Sequence, residues 1–337
     1  MNIAILMFGQ PRFFDITYKY IKEEFDIPGC TVKYFLHLWK DIGYTPEDSQ
    51  RVNYHRLSSK TIPEHIGLQD IFMSLEVDKQ CVKIEEYGKL QTLCNSWYEM
   101  NKFIKYNRPT PIPVPGILEY FLGQHYSIQK CFSMIEEYEK TFNMKFDIII
   151  KARTDVIYKT MELYKNKEAY LKDKIKHYTQ IPLDYPTAKV GALRINKWID
   201  DKWVGDSINE YKYDLQSNHN IRLCHNDWTL VANRLAADFY FGRWFESYFI
   251  TLGRDLFYKK NKSRFQSQSD HTMQGNIAIY NNINLININR RDVKLVRSDK
   301  IKPDTSVAGK IVVPRDYDKM YEEELKEGIF KRFNKQV

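Results

Sequence analysis

The tripeptide Arg153-Thr154-Asp155 closes an apolar run, Phe146-Asp147-Ile148-Ile149-Ile150-Lys151-Ala152. An acid at the end of a buried strand is held at a cleft, where it can ligate a hard divalent cation such as Mn2+ or Mg2+. Such a cation in turn neutralises a diphosphate. Arg153 can serve the same diphosphate or pair internally with an acid. The other reading of Asp155 is a strand-end residue that caps the following turn. Two further apolar runs end in polar groups. Gly9, Gln10, Pro11 and Arg12 follow the first, and His37, Trp39 and Asp41 follow the second. In an open parallel sheet, ligands bind beyond the carboxyl ends of the strands. All of these groups therefore collect at one edge.

The elements that must position them alternate in the first half. Residues 2–8 form a continuous apolar run that stops at Gly9-Gln10-Pro11, as a strand covered on both faces would. Residues 13–25 carry helical spacing through Ile16, Tyr20, Ile21 and Phe25. Val32 to Leu38 reads as a second strand, 64–75 as a helix and 81–85 as a short strand. The proline-rich stretch ending Pro109-Thr110-Pro111-Ile112-Pro113-Val114-Pro115-Gly116 excludes a helix over 86–115 and favours an extended segment, a lid, an acceptor wall or a spacer. Ile117, Phe121, Ile128, Phe132, Ile135 and Tyr138 then mark a helix over 117–142, leading into the strand that ends at Arg153. Four strands with intervening helices predict an α/β fold with a parallel sheet. In the second half, short strands are expected near 188–195, 277–280 and 292–297. A long helix is expected over 227–249, and a charged amphipathic helix (Tyr321, Leu325, Ile329, Phe330) over 315–337.

Composition narrows the function classes. The 337-residue chain carries 43% hydrophobic and 28% charged residues, which excludes wholesale disorder. Its net charge of +8 is uneven: residues 1–150 hold 17 basic and 19 acidic side chains, residues 151–337 hold 34 and 24. An anionic partner is expected to meet the second half. The basic segments Lys165–His177 and Arg254–Arg264 lack any nucleic-acid fold signature, so no nucleic-acid partner is expected. The five cysteines are odd in number, widely spaced and without a CxxC pair, as expected of reduced thiols in the cytoplasm. The N-terminal run lacks a basic leader, and no stretch reaches the roughly 18 apolar residues of a spanning helix, so no transmembrane segment is expected. GxGxxG, GxxxxGK[ST], HExxH and GxSxG are all missing, which disfavours dinucleotide, P-loop, zinc-protease and serine-hydrolase chemistry.

Three motifs carry a resemblance to a family. Ile3-Ala4-Ile5-Leu6-Met7-Phe8-Gly9-Gln10-Pro11-Arg12 is the first, and Tyr34-Phe35-Leu36-His37-Leu38-Trp39 the second. The third is Gly123-Gln124-His125-Tyr126-Ser127 followed by Phe146 to Asp155, and Asn226-Asp227-Trp228 is a weaker fourth. In order and spacing they resemble the GT-A-fold nucleotide-sugar glycosyltransferases, within them the bacterial and viral group related to capsule and lipopolysaccharide sugar transferases. The resemblance spans about residues 1–250. It implies an α/β, GT-A-like fold: a Rossmann-like, mostly parallel sheet flanked by helices, with a mixed acceptor-side C-terminal half. Residues 1–155 would bind the nucleotide sugar, 156–314 the acceptor, and 315–337 would form a terminal helix.

By the same resemblance, Arg153-Thr154-Asp155 takes the place of the family's metal-binding Asp-x-Asp motif. The first acid is replaced by Arg153, which puts dependence on Mn2+ or Mg2+ in doubt. Gly9, Gln10 and Arg12 would lie against the nucleotide, and His37 would either touch it or sit in the core. Asp227 is either the catalytic base or a helix cap, and His271 is either a late metal ligand or a structural residue. The implied partners are a UDP- or GDP-sugar donor and a glycan or glycolipid acceptor, anionic ones included. The implied location is the cytoplasm, a host's if the chain is viral, or the periphery of a membrane. The alternative is a non-catalytic nucleotide- or glycan-binding protein on a degenerate transferase fold.

Overall fold

A computed structural model describes residues 1–9, 11, 14–40, 67–86, 115–158, 166–199, 202–212, 221–243, 275, 277–279, 281–288, 294–298 and 310–313. The first half follows the expected alternation. Strand β1 (Asn2–Gly9), helix α1 (Phe14–Phe25), β2 (Thr31–Trp39), α2 (Leu68–Ser74), β3 (Val82–Glu85), α3 (Pro115–Thr141) and β4 (Ile148–Arg153) succeed one another. Pro115 stands in the first turn of α3, the one helical position where its missing N–H costs nothing. The strands lie in the order β3-β2-β1-β4 and all run parallel. The fold is therefore α/β, as expected.

Both faces of this sheet are buried, which is why its strands are apolar without alternation. Ala4, Leu6 and Phe8 pack with Phe35 and Ile149 against Ile128, Cys131, Phe132 and Ile135 of α3. Ile3, Ile5 and Met7 pack on the other face against Phe14, Ile21 and Phe25 of α1. Each such aliphatic or aromatic side chain contributes about 1.5–3 kcal/mol by leaving water. At the C-terminal end of α1, Lys174 Nζ donates to the carbonyls of Glu23 (2.5 Å) and Asp26 (2.6 Å). Cys30, Cys81 and Cys131 are free thiols.

The second half is mixed. It comprises β5 (Val156–Ile157), α4 (Lys167–Tyr178), β6 (Thr187–Ile199), β7 (Lys202–Ser207), β8 (Glu210–Tyr211), β9 (Ile221–Asn233), α5 (Arg234–Ala237), β10 (Asn284–Asn287), β11 (Lys294–Ser298) and β12 (Lys310–Val313). Among the described residues, the large sheet continues from β4 through antiparallel β9 and β6 to β10 and β8, with β7 paired to β6. A separate three-stranded sheet joins β12, β11 and β5, so chain from the late sequence is tied beside the turn that follows β4.

Two sequence expectations are corrected here. The helix expected over 227–249 is strand up to Asn233. Helix begins at Arg234 and passes into a π turn at Asp238–Gly242. Its cap is Asn233, whose Oδ1 accepts from Ala236 N at 2.8 Å, rather than Asn226 or Asp227. The β-propensity of Thr229-Leu230-Val231 and pairing to both β4 and β6 outweigh the local cap signal. The strand expected near 277–280 is helical over 277–279, with Ile277 and Ala278 buried. Short apolar runs do not distinguish the two states by periodicity. The expected helix 315–337 and the proline-rich segment up to residue 114 lie outside the described residues.

Candidate functional site

The first motif residues meet at the carboxyl edge of the parallel strands. Phe8 of β1 pairs with His37 of β2 on one side and Arg153 of β4 on the other. One register row thus carries His37, Phe8 and Arg153, with Gly9 a step beyond. Gly9 has φ of +101°, and a Cβ built there would meet nothing. Glycine is required for the backbone turn and not for space. Gln10, Arg12 and Asp41 lie outside the described residues, as does His271.

Beyond the row, Arg153 and Asp155 face each other. The guanidinium donates from Nε to Asp155 Oδ1 (2.8 Å) and from Nη2 to Oδ2 (3.0 Å). The two side chains are 15% and 6% exposed. This bidentate fork is the strongest form of such a pair, and it realises the internal pairing open to Arg153 in the sequence. The turn is pinned from α1, where the Thr17 hydroxyl donates to the carbonyl of Thr154. Both Asp155 oxygens accept from the guanidinium, and among the described residues no three His, Cys, Asp or Glu side chains converge to hold a metal.

Asp227 is in β9 and not at a helix start. The β4–β9 ladder ends at Lys151 and Leu230. On the other side of β9, Val190 of β6 pairs with Leu230 but Gly191 pairs with Asn226, so Asp227, Trp228 and Thr229 form a bulge. The β4–β9 ladder does not reach Asp227, which lies on β9 beyond the last paired residue, Leu230.

Beneath the edge, the N-terminal half of α3 covers a set of buried polar residues. His37 is fully buried, with Nε2 3.4 Å from Glu85 Oε2. The Tyr126 hydroxyl donates to the same oxygen at 2.8 Å, and Lys83 Nζ lies 3.2 Å from Oε1. These donors hold the Glu85 carboxyl down at about 2 against the opposing effect of its burial. Burial lowers His37 to about 4, so it is neutral at physiological pH. Trp39 and Tyr126 stack with centroids 5.7 Å apart, and His37 meets both rings edge-on. The second and third motifs are thus one packed unit, and His37 and Trp39 belong to the core beneath the edge.

Lys151 and His125 are the residues that sequence reasoning passed over. Both are 1% exposed. Lys151 Nζ lies 5.4 Å from the Phe8 ring centroid. Burial, aided by the Lys151 charge, pushes His125 well below its ordinary value. A signal existed: a lysine inside Ile148-Ile149-Ile150-Lys151-Ala152 places a cation on a strand buried on both faces, where it must find a partner.

No family model matches the chain, and no curated protein matches it in sequence. Solved structures overlap it loosely. Mouse xyloside xylosyltransferase 1 in its apo form has a TM-score of 0.34 at 9% identity, over 83% of this chain and 82% of that one. The inositol-1-phosphate CTP transferase from T. maritima gives 0.33 at 10%, over 98% of both chains. A nucleoside-diphosphate-sugar pyrophosphorylase from Vibrio cholerae gives 0.29 at 11%, over 87% and 94%.

Proposed function

We propose that the chain is a glycosyltransferase that moves a sugar from a UDP- or GDP-sugar to a hydroxyl of a glycan or glycolipid. The observation that carries this reading is the concentration of cationic and acidic side chains at the carboxyl end of β4. Arg153 and Asp155 stand there beside the Gly9 turn of β1, at the edge where α/β sheets bind ligands, with Lys151 buried behind them on the same strand. Lys151 and Arg153 supply positive field to a diphosphate, and Asp155 fixes the plane of the guanidinium. The C1–O bond to the diphosphate breaks with its electron pair leaving on the phosphate oxygen. The acceptor oxygen bonds to C1 and its proton passes to Asp227, an acid of β9. The net positive charge of residues 151–337 suits an anionic acceptor.

A panel of nucleotide sugars tests this. Slow release of UDP or GDP is expected, abolished by Arg153→Gln and reduced at least about a hundredfold by Asp227→Asn. No turnover together with no nucleotide-induced thermal shift would sink the proposal. The Arg153–Asp155 pair favours one second reading, because it occupies the acid that a metal would use. A non-catalytic nucleotide-binding protein would show the thermal shift without turnover.

A further inference from the structure

At the opposite edge of the sheet lies a cleft of about 790 Å³ lined by Lys33, Asp78, Lys79, Gln80, Tyr138 and Phe142. Lys33 stands near the start of β2, and Tyr138 and Phe142 lie at and just past the C-terminal end of α3. Phe142 is 52% exposed. Its ring lies on that of Tyr138, centroids 4.3 Å apart at 37°. Tyr138 is itself backed edge-on by Phe35 at 5.6 Å and flanked by Phe146 at 6.0 Å. The core thus holds an exposed aromatic platform in place before any ligand arrives, which removes an ordering cost from binding.

Polar groups surround the platform. Lys33 Nζ and Asp78 Oδ2 form an ion pair at 3.0 Å, with side chains 31% and 41% exposed. Lys79 and Gln80 are exposed beside them. We infer that this cleft binds a pyranose ring of an oligosaccharide. A pyranose has a C–H face that rests on the electron-rich face of an aromatic ring. It also has a rim of hydroxyls that both donate and accept, matching a carboxylate, ammonium groups and an amide. A purely apolar ligand would desolvate the Lys33–Asp78 pair without replacing its water. A nucleoside diphosphate would meet the Asp78 carboxylate and a lysine already paired. The inference does not depend on the transferase reading.

The test titrates the full chain with maltohexaose, cellohexaose, chitohexaose and mannohexaose, followed by saturation-transfer NMR. At least one is expected to bind. Phe142→Ala is expected to weaken it at least about tenfold, Phe142→Trp to retain it, and Asp78→Asn to weaken it severalfold. The nucleotide-induced thermal shift should stay unchanged in all three variants, and the melting temperature should fall only modestly in Phe142→Ala and Asp78→Asn. Binding by none of the four sugars, or binding that survives both Phe142→Ala and Asp78→Asn, overturns the inference. Loss of donor turnover with sugar binding intact would count against the carboxyl-edge site alone.

Discussion

Replacing Asp155 by asparagine keeps the shape of the side chain and removes its charge. The Arg153 guanidinium then keeps its charge and loses its anionic partner at 2.8 and 3.0 Å. Removing one member of a fully buried ion pair costs about 3–5 kcal/mol, whereas fully exposed pairs contribute about 0–1 kcal/mol. With side chains 15% and 6% exposed, this pair lies near the buried limit, and water at the arginine screens part of the loss. The expected cost is about 2–3 kcal/mol, read from urea denaturation. The double variant Arg153→Met/Asp155→Leu should recover most of it, since neither charge remains unpartnered. A change below about 0.5 kcal/mol in Asp155→Asn, or a double variant as unstable as the sum of its singles, would refute the engaged fork. Manganese provides a second readout. If the guanidinium holds the carboxylate, Mn2+ shifts the melting temperature equally in wild type and variant. A Mn2+ stabilisation found only in wild type would show that the acid exchanges its arginine for metal.

Three further perturbations follow from the packing. His37 is held at about 4 when folded against about 6.5 when unfolded, so the unfolded chain binds more protons between those values. Stability should therefore fall by up to about 3 kcal/mol as pH drops from 6.5 to 4, and the slope over that window should flatten in His37→Gln. Glu85, at about 2, adds its own loss only below about 4.5. Asn233 Oδ1 accepts from Ala236 N (2.8 Å) and Thr187 N (3.3 Å), while Nδ2 donates to the carbonyls of Pro182 (2.7 Å) and Tyr185 (2.6 Å). Asn233→Ala should cost about 2–4 kcal/mol in denaturant titration, and Asn233→Asp at least as much at neutral pH, because a buried carboxylate oxygen would then face the carbonyls of Pro182 and Tyr185. A Cβ at Gly275 would overlap the backbone carbonyl of Leu223 in β9, so Gly275→Ala should lower the melting temperature while Gly9→Ala, with open space, acts only through its backbone conformation.

How much could be read beforehand depends on the range of the interactions that decide each element. The strands β1, β2 and β4 are buried on both faces, so continuous apolar composition alone announces them, and α3 shows its buried stripe at helical spacing. These local patterns sufficed for the α/β class, the parallel sheet and the carboxyl edge where Gly9, His37 and Arg153 share adjoining positions, while the strand order came from the fold. Long-range pairing decided the rest. Residues 221–233 carry both a cap signal and strand formers, and only the ladders to β4 and β6 select the strand. That choice puts Asp227 inside a strand rather than at a helix start. The sequence allowed Arg153 either a ligand or an internal acid, and the folded turn brings Asp155 within its fork. Likewise His37, Glu85 and Tyr126 are distant in sequence, and only the packing of α3 over the sheet makes them one buried network. Side-chain chemistry is written locally, but partners are assigned by topology, because a hydrogen bond or an ion pair needs contact within a few ångströms, whatever the separation along the chain.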